Sequence, residues 1–208
     1  MPQALRVGLT GGLASGKSTV AAWLGEAGFR VVDADALVAD SYRPGGAGAR
    51  RVADLFGPGF LRPDGGVDKV AVARLVFRDA AARERLEEAI HPLVRQAFAE
   101  IAGAADGVVV LEATRLVEAG FGPDFDLVVT VESPKEMRLE RAVARGMSRP
   151  EAIARLEAQG DGEERRRRAD YLLSNDGDLA RLRDETAELV ALVRRRAAAR
   201  SEPDSETR

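Results

Sequence analysis

The segment Gly11-Gly12-Leu13-Ala14-Ser15-Gly16-Lys17-Ser18 satisfies the pattern G-x-x-x-x-G-K-[ST], and its residue types suit the binding of phosphate. Glycines let successive backbone N–H groups turn inward around phosphate oxygens, and a helix starting at the end of such a loop adds partial positive charge. Lys17 is a compact ammonium that could reach the β- and γ-phosphates of a nucleotide, and the Ser18 hydroxyl is a ligand type that Mg²⁺ accepts. The expected nucleotide-binding residues are therefore Gly12, Leu13, Ala14, Ser15, Gly16, Lys17, Ser18 and Thr19. Of the 31 basic residues only Lys17, Lys69 and Lys135 are lysines. At Lys17 the planar fork of an arginine would fit poorly, so the lysine is read as kept there by chemistry.

Asp33 and Asp35 come next, at the end of the short apolar run Phe29-Arg30-Val31-Val32. Open α/β sheets gather ligands at the carboxyl ends of their strands. A carboxylate in that place could take the proton of an attacking hydroxyl. Ala36-Leu37-Val38 follow directly, so an aspartate here could equally cap a helix. Both readings stand. Glu112, at the end of the run Val108-Val109-Val110-Leu111, could order a Mg²⁺-bound water. No [NT]-K-x-D pattern accompanies the loop, which argues against a GTPase and for ATP.

These residues need elements to hold them. The apolar patterning predicts strands at 6–10, 29–32, 107–111, 127–131 and 171–173. Helices are expected at 18–26 (closed by Gly28), 134–145 and 179–196, with a charged helical stretch at 149–168 broken near Gly160-Asp161-Gly162. Between about residues 38 and 105 the pattern is mainly helical with a turn-rich break at 60–66. Pro92 is expected in the first turn of a new helix, with His91 beside the junction. Strand, loop, helix, strand is the opening of a parallel α/β sheet. Trp23 is expected in the core.

Composition closes several routes. The chain has 208 residues, 45% of them hydrophobic and 31% charged, with no Cys, one His and a formal net charge of −3. Disulfide scaffolds, cysteine-based zinc and iron–sulfur sites, thiol nucleophiles and histidine-rich metal sites are excluded. There is no overall basic field for nucleic acid. Glu163, Glu164 and Asp170 flank the run Arg165-Arg166-Arg167-Arg168, and aromatics are not interleaved with it. The run reads as a face turned toward a triphosphate rather than a nucleic-acid patch. The apolar runs are too short to span a membrane and no leader is visible, so a cytoplasmic protein is expected, monomeric or weakly associating.

Taken together, the glycine loop, Asp33-Ala34-Asp35, Phe77-Arg78-Asp79, Ile90-His91-Pro92-Leu93, Leu116-Val117-Glu118, Arg141 and the series Gln159 … Glu164-Arg165 … Ala169-Asp170 … Asn175-Asp176-Gly177 resemble the dephospho-CoA kinases over about residues 5–195. The resemblance implies an α/β P-loop NTPase core with a parallel sheet flanked by helices, a helical acceptor-binding insertion and an arginine-bearing lid. Its segments would be a core at about 5–37, 106–135 and 170–196, an insertion at 38–105, a lid at 141–168 and a polar tail at 197–208. It implies ATP-dependent phosphorylation of the ribose 3′-hydroxyl of dephospho-CoA, with Mg²⁺. By the same resemblance Asp35 would be the general base, and Asp33 would support the acceptor or the metal. Arg141 would stabilise the transferred phosphoryl and Asn175 would lie near the adenine, while His91, Glu118 and Arg165 would serve the acceptor. Read from the residues alone, His91 could simply stand at a helix junction and Arg141 could be a solvated helix charge.

Two positions depart from the family's pattern. Thr114-Arg115 replaces an apolar Pro-Leu before Leu116-Val117-Glu118, which keeps open a kinase for another small acceptor, a nucleoside or a sugar. A non-catalytic ATP-binding regulator is the other alternative. Ala14 stands where the family commonly has Gly, and is expected to sit there with a negative φ.

Overall fold

The computed structural model describes residues 4–201; residues 1–3 and the polar tail from residue 202 on lie outside it. The elements are β1 (Leu5–Gly11), α1 (Lys17–Glu26), β2 (Arg30–Asp33), α2 (Ala34–Ser41), α3 (Ala47–Phe56), α4 (Lys69–Arg78), α5 (Ala80–Gly103), β3 (Val108–Glu112), β4 (Leu127–Glu132), α6 (Lys135–Ala144), α7 (Arg149–Ala158), α8 (Glu163–Arg168), β5 (Tyr171–Ser174) and α9 (Leu179–Ser201). The chain divides into two compact units, one formed by residues up to Val32 and from Ala102 on, the other by Asp33–Ile101.

The first unit is built on a five-stranded sheet in the order β2-β3-β1-β4-β5. β1 is central and runs parallel to both β3 and β4, and β5 runs parallel to β4. Val108–Leu111 are all buried, as a strand covered on both faces requires. Leu5, Val7 and Leu9 of β1, Val20 and Leu24 of α1, and Leu182, Leu189 and Val193 of α9 share one core cluster. Trp23 only packs against that cluster from its half-buried edge, with the Arg183 guanidinium 5.5 Å above its ring. It is a border residue rather than the core residue expected, because its wide ring has Arg183 for a polar cover. Gly28, at φ +89°, closes α1 in the left-handed conformation a glycine adopts without strain.

The second unit has its own smaller core of Ala49, Val52, Val67 and Val72, flanked by Tyr42, Phe56 and Phe60. Its long helix α5 corrects one expectation. Pro92 lies inside α5 rather than opening a new helix. Ile90, Val94 and Phe98 recur every fourth residue and are all buried, so packing of this stripe holds the helix continuous across the proline. The bond that Pro92 cannot donate falls on the solvent side, where both Pro92 and Glu88 are exposed. His91 is a half-buried residue in mid-helix, beside no junction. Among the described residues no helix is long and apolar enough to cross a membrane.

Candidate active site

The glycine loop joins the end of β1 to the start of α1, at the carboxyl edge of the sheet. Gly16 occupies the N-cap of α1 at φ +102°, and a Cβ there would fall 2.2 Å from Asn175 Nδ2. Glycine is thus required twice over, by backbone conformation and by space. Among the described residues the N–H groups of Gly16, Lys17 and Ser18 donate to no carbonyl. They are the open donors of a helix start and face the direction from which an anion would satisfy them. Ser15 Oγ is likewise buried and without a partner.

Ala14 is the only non-glycine described at positive φ, +56°. This overturns the expectation of a negative φ. The left-handed region costs a residue with a Cβ about 1–2 kcal/mol, so the fold must hold it there. The restraints are visible on Leu13: its N–H donates to Gln159 Oε1 at 2.7 Å and its carbonyl accepts from Arg138 Nε at 2.9 Å.

Charge is arranged around the loop in two groups. On the β3 side, Lys17 Nζ lies 2.5 Å from Glu112 Oε1, and Ser18 Oγ donates to the same oxygen at 2.8 Å. Hydroxyl and carboxylate oxygens side by side are the donor set that Mg²⁺ prefers. On the β4–β5 side, Asn175 Nδ2 donates to the Ser15 carbonyl at 2.7 Å, while Arg141 Nη2 donates to Asn175 Oδ1 at 3.2 Å and Arg141 Nη1 to Ser133 Oγ at 3.0 Å. Asn175 is therefore clamped under the loop and Arg141 is half-buried against it, not a solvated charge.

Arg165, 1% exposed, pairs with Glu118 Oε1 at 2.7 Å and Glu132 Oε1 at 3.2 Å. Its Nη2 and Glu118 Oε2 are buried without partners. Arg165 and Glu118 thus meet each other directly, while Arg166 also reaches Glu132, at 3.8 Å and from a more exposed position. A cavity of about 680 Å³ opens at the carboxyl ends of β4 and β5, bounded by Glu132, Ser133, Arg138, Leu156, Ser174 and Asp176.

In the second unit the acidic pair divides. Asp33 is the N-cap of α2, its Oδ1 accepting from the Asp35 N–H at 2.9 Å, so the helix-cap reading holds for that residue. Asp35 lies in the first turn of α2, exposed, and among the described residues its carboxylate has no hydrogen-bond or ion-pair partner.

Arg138 and Glu132 were not singled out from sequence, and Gln159 only opened the family-like series, with no role given. An arginine on a charged helix reads as solvated; only its place three residues before Arg141, on the same face of α6, hints that it points inward. Arg138 is 4% exposed. Burial pulls its pKa down and repulsion from Arg165 adds to this, with Glu132 acting against both.

Comparison with known proteins agrees with this arrangement. The family model for dephospho-CoA kinase matches residues 5–181. A dephospho-CoA kinase of Frankia casuarinae is 40% identical over 191 residues, covering 89% of this chain and 83% of the relative. One from Mycolicibacterium paratuberculosis is 42% identical over 86% of this chain, which spans only 44% of that longer relative. A solved Thermus thermophilus structure is 38% identical and superposes with a TM-score of 0.78, over 91% of this chain and 98% of that one. With a loop built for phosphate, a sheet edge lined by Lys17, Glu112, Arg141 and Asn175, and a family match across most of its length, the chain belongs to the dephospho-CoA kinase family.

Proposed function

We propose that the chain transfers the γ-phosphoryl group of ATP to the ribose 3′-hydroxyl of dephospho-CoA, giving coenzyme A and ADP in the cytoplasm. One observation carries the nucleotide half of this reading: the unpaired N–H groups at the start of α1, with Lys17 beside them. They form a cationic cradle sized for phosphate oxygens. The acceptor half rests on membership of the family.

The residues take the following parts. Lys17 leaves Glu112 for the β- and γ-phosphates, and Arg141 neutralises the charge that grows on the phosphoryl group as it moves. Asn175 supports the loop from below and borders the adenine. Ser18 and Glu112 are the residues that would hold Mg²⁺, whose positive charge would offset that of the phosphates. Asp35 is the general base. Among the described residues its carboxylate has no partner to compete for a proton, whereas that of Asp33 is engaged as a helix cap. Asp33, His91, Glu118 and Arg165 serve the acceptor, and the segment from about 141 to 168 closes to keep water from competing with it.

An ADP-release assay with dephospho-CoA, nucleoside monophosphates and simple sugars as acceptors tests the reading. Turnover is expected with dephospho-CoA, and Asp35→Asn is expected to abolish it while leaving the circular dichroism spectrum unchanged. Turnover with a sugar or nucleotide alone would replace the acceptor, ATP binding with no acceptor-dependent turnover would make the chain a regulator, and full activity of Asp35→Asn would remove the base.

A further inference from the structure

Arg138 is a buried cation whose hydrogen-bond acceptors are both neutral. Its Nε donates to the Leu13 carbonyl at 2.9 Å and its Nη2 to Gln159 Oε1 at 3.0 Å. Gln159 Oε1 in turn accepts from the Leu13 N–H at 2.7 Å. The guanidinium lies so close beneath the loop that a Cβ on Gly12 would fall 2.2 Å from its Nη2. The side chains that make these contacts lie outside the loop, in the first half of α6 and at the C-cap of α7.

The geometry of the three bonds has a specific consequence. The Leu13 N–H belongs to the peptide plane between Gly12 and Leu13, and its carbonyl to the plane between Leu13 and Ala14. Fixing both planes fixes φ and ψ of Leu13, and the second plane also sets where the φ rotation of Ala14 begins. Ala14 is the residue at φ +56°, in a region where an L side chain rarely stays without outside support. An arginine suits the task because its rigid planar fork donates to two acceptors in one plane; a lysine offers one compact charge and no such plane.

We propose that Arg138 and Gln159 form a clamp that holds the phosphate loop in the left-handed turn at Ala14, so that α6 and the end of α7 set ATP affinity without touching the reacting atoms. They are positioning residues. The clamp and the left-handed alanine form one device: with glycine at 14 the turn would hold itself and the clamp would matter less. Because both halves of the clamp lie outside the loop, a displacement of the α6–α7 segment would release the Leu13 peptide planes and lower ATP affinity. The proposal rests on reading the loop as the ATP site, and its test separates the two.

The experiment is a double-mutant cycle on Arg138→Ala and Ala14→Gly, with Kd measured for N-methylanthraniloyl-ATP, kinetics for ATP and dephospho-CoA, and thermal midpoints without nucleotide. Arg138→Ala is expected to weaken the analogue about tenfold and to raise KM for ATP more than it lowers kcat. Adding Ala14→Gly is expected to restore about threefold or more of that loss, and to recover part of the lost thermal midpoint. Arg138→Lys should behave almost as Arg138→Ala. Gln159→Leu, which leaves the arginine in place, should reproduce the loss if Arg138→Ala does not fold. Additive effects of the two substitutions, in affinity and in midpoint, would overturn the clamp and leave Arg138 as packing between helices. If the wild-type chain does not bind the analogue, the ATP reading falls, while the coupling in thermal midpoint still decides the clamp.

Discussion

Lys17 and Glu112 are joined across the mouth of the phosphate loop, Nζ to Oε1 at 2.5 Å, with both side chains only 12–13% exposed. The same carboxylate oxygen takes the Ser18 hydroxyl. Glu112 thus holds both groups that the proposed function assigns to phosphate and metal. For Lys17 to reach the phosphates this pair must open, and opening a partly buried pair opposes binding. Glu112→Gln releases the lysine, so ATP without divalent metal is expected to bind about three- to tenfold tighter, the size of a modest ion pair. Turnover with Mg²⁺ should fall at least about tenfold, since the proposed function gives this acid the ordering of the metal shell. Isothermal titration with and without Mg²⁺ measures the first effect and steady-state rates the second. Weaker metal-free binding in the variant would show that the pair does not restrain Lys17.

Arg141 and Asn175 form the second connection to the loop, and they separate by role. Asn175 Nδ2 satisfies the buried Ser15 carbonyl. Asn175→Leu keeps the branching at Cγ, with bulkier tips, but strands that carbonyl, at a cost of about 1–3 kcal/mol, read as a drop of several degrees in thermal midpoint. Among the described residues Arg141→Ala loses only the half-buried bonds to Ser133 and Asn175. It is expected to leave the midpoint within a few degrees while lowering kcat about 10³-fold, as loss of a phosphoryl-directed arginine does. Equal damage to midpoint and rate in both variants would make Arg141 structural.

A third prediction concerns Arg165, the largest fully buried side chain among the described residues, held between Glu118 and Glu132. Arg165→Met fits the space but leaves two shielded carboxylates facing each other. Breaking a buried pair from one side costs about 3–5 kcal/mol. Urea unfolding should show that loss, and adding Glu118→Gln should recover part of it. A stability unchanged by Arg165→Met would mean that the carboxylates find water without help.

Most of the fold could be read from residue pattern, for physical reasons that also mark the limit. Val108–Leu111 and Leu127–Val131 are apolar runs with turn residues on both sides, and covered parallel strands leave that trace. The phosphate loop was legible because its donors are backbone groups that only glycine can turn inward. Pro92 misled because proline reports a missing donor, and the sequence does not say whether that donor would have faced solvent. Ala14 misled because intrinsic preference was read without its restraint, which comes from residues more than a hundred positions away. Arg138 was invisible for the same reason: a charged helix such as α6 looks solvated on every face until its neighbours are known. Asp33 and Asp35 could each be cap or base by sequence, and the structure shows Asp33 as the cap.

The last prediction lies at the other edge of the sheet. Asp126 stands just before β4, where Oδ2 accepts from the Arg6 N–H at 2.8 Å and Oδ1 pairs with Arg200 of α9 at 2.6 Å. Burial works to raise its pKa, but the hydrogen bonds from Arg200 and from the Arg6 backbone outweigh it and hold the carboxyl below the usual 3.8. The folded value lies below the unfolded one, so the ionised group adds stability that is fully present above the unfolded pKa. That stability drains away as pH falls through the folded value. Asp126→Asn keeps the shape and removes the charge. The gap in thermal midpoint between wild type and variant is therefore expected to be constant from about pH 7 to 5 and to close as pH drops below about 4. Since Arg200 belongs to the last turn of α9, protection of that turn against hydrogen exchange, relative to the intrinsic rate at each pH, should fall over the same acid range in the wild type and be reduced from neutral pH down to about pH 5 in the variant. A gap that widens in acid would mean that the carboxyl is held above its ordinary value, and that burial rather than Arg200 governs this end of the sheet.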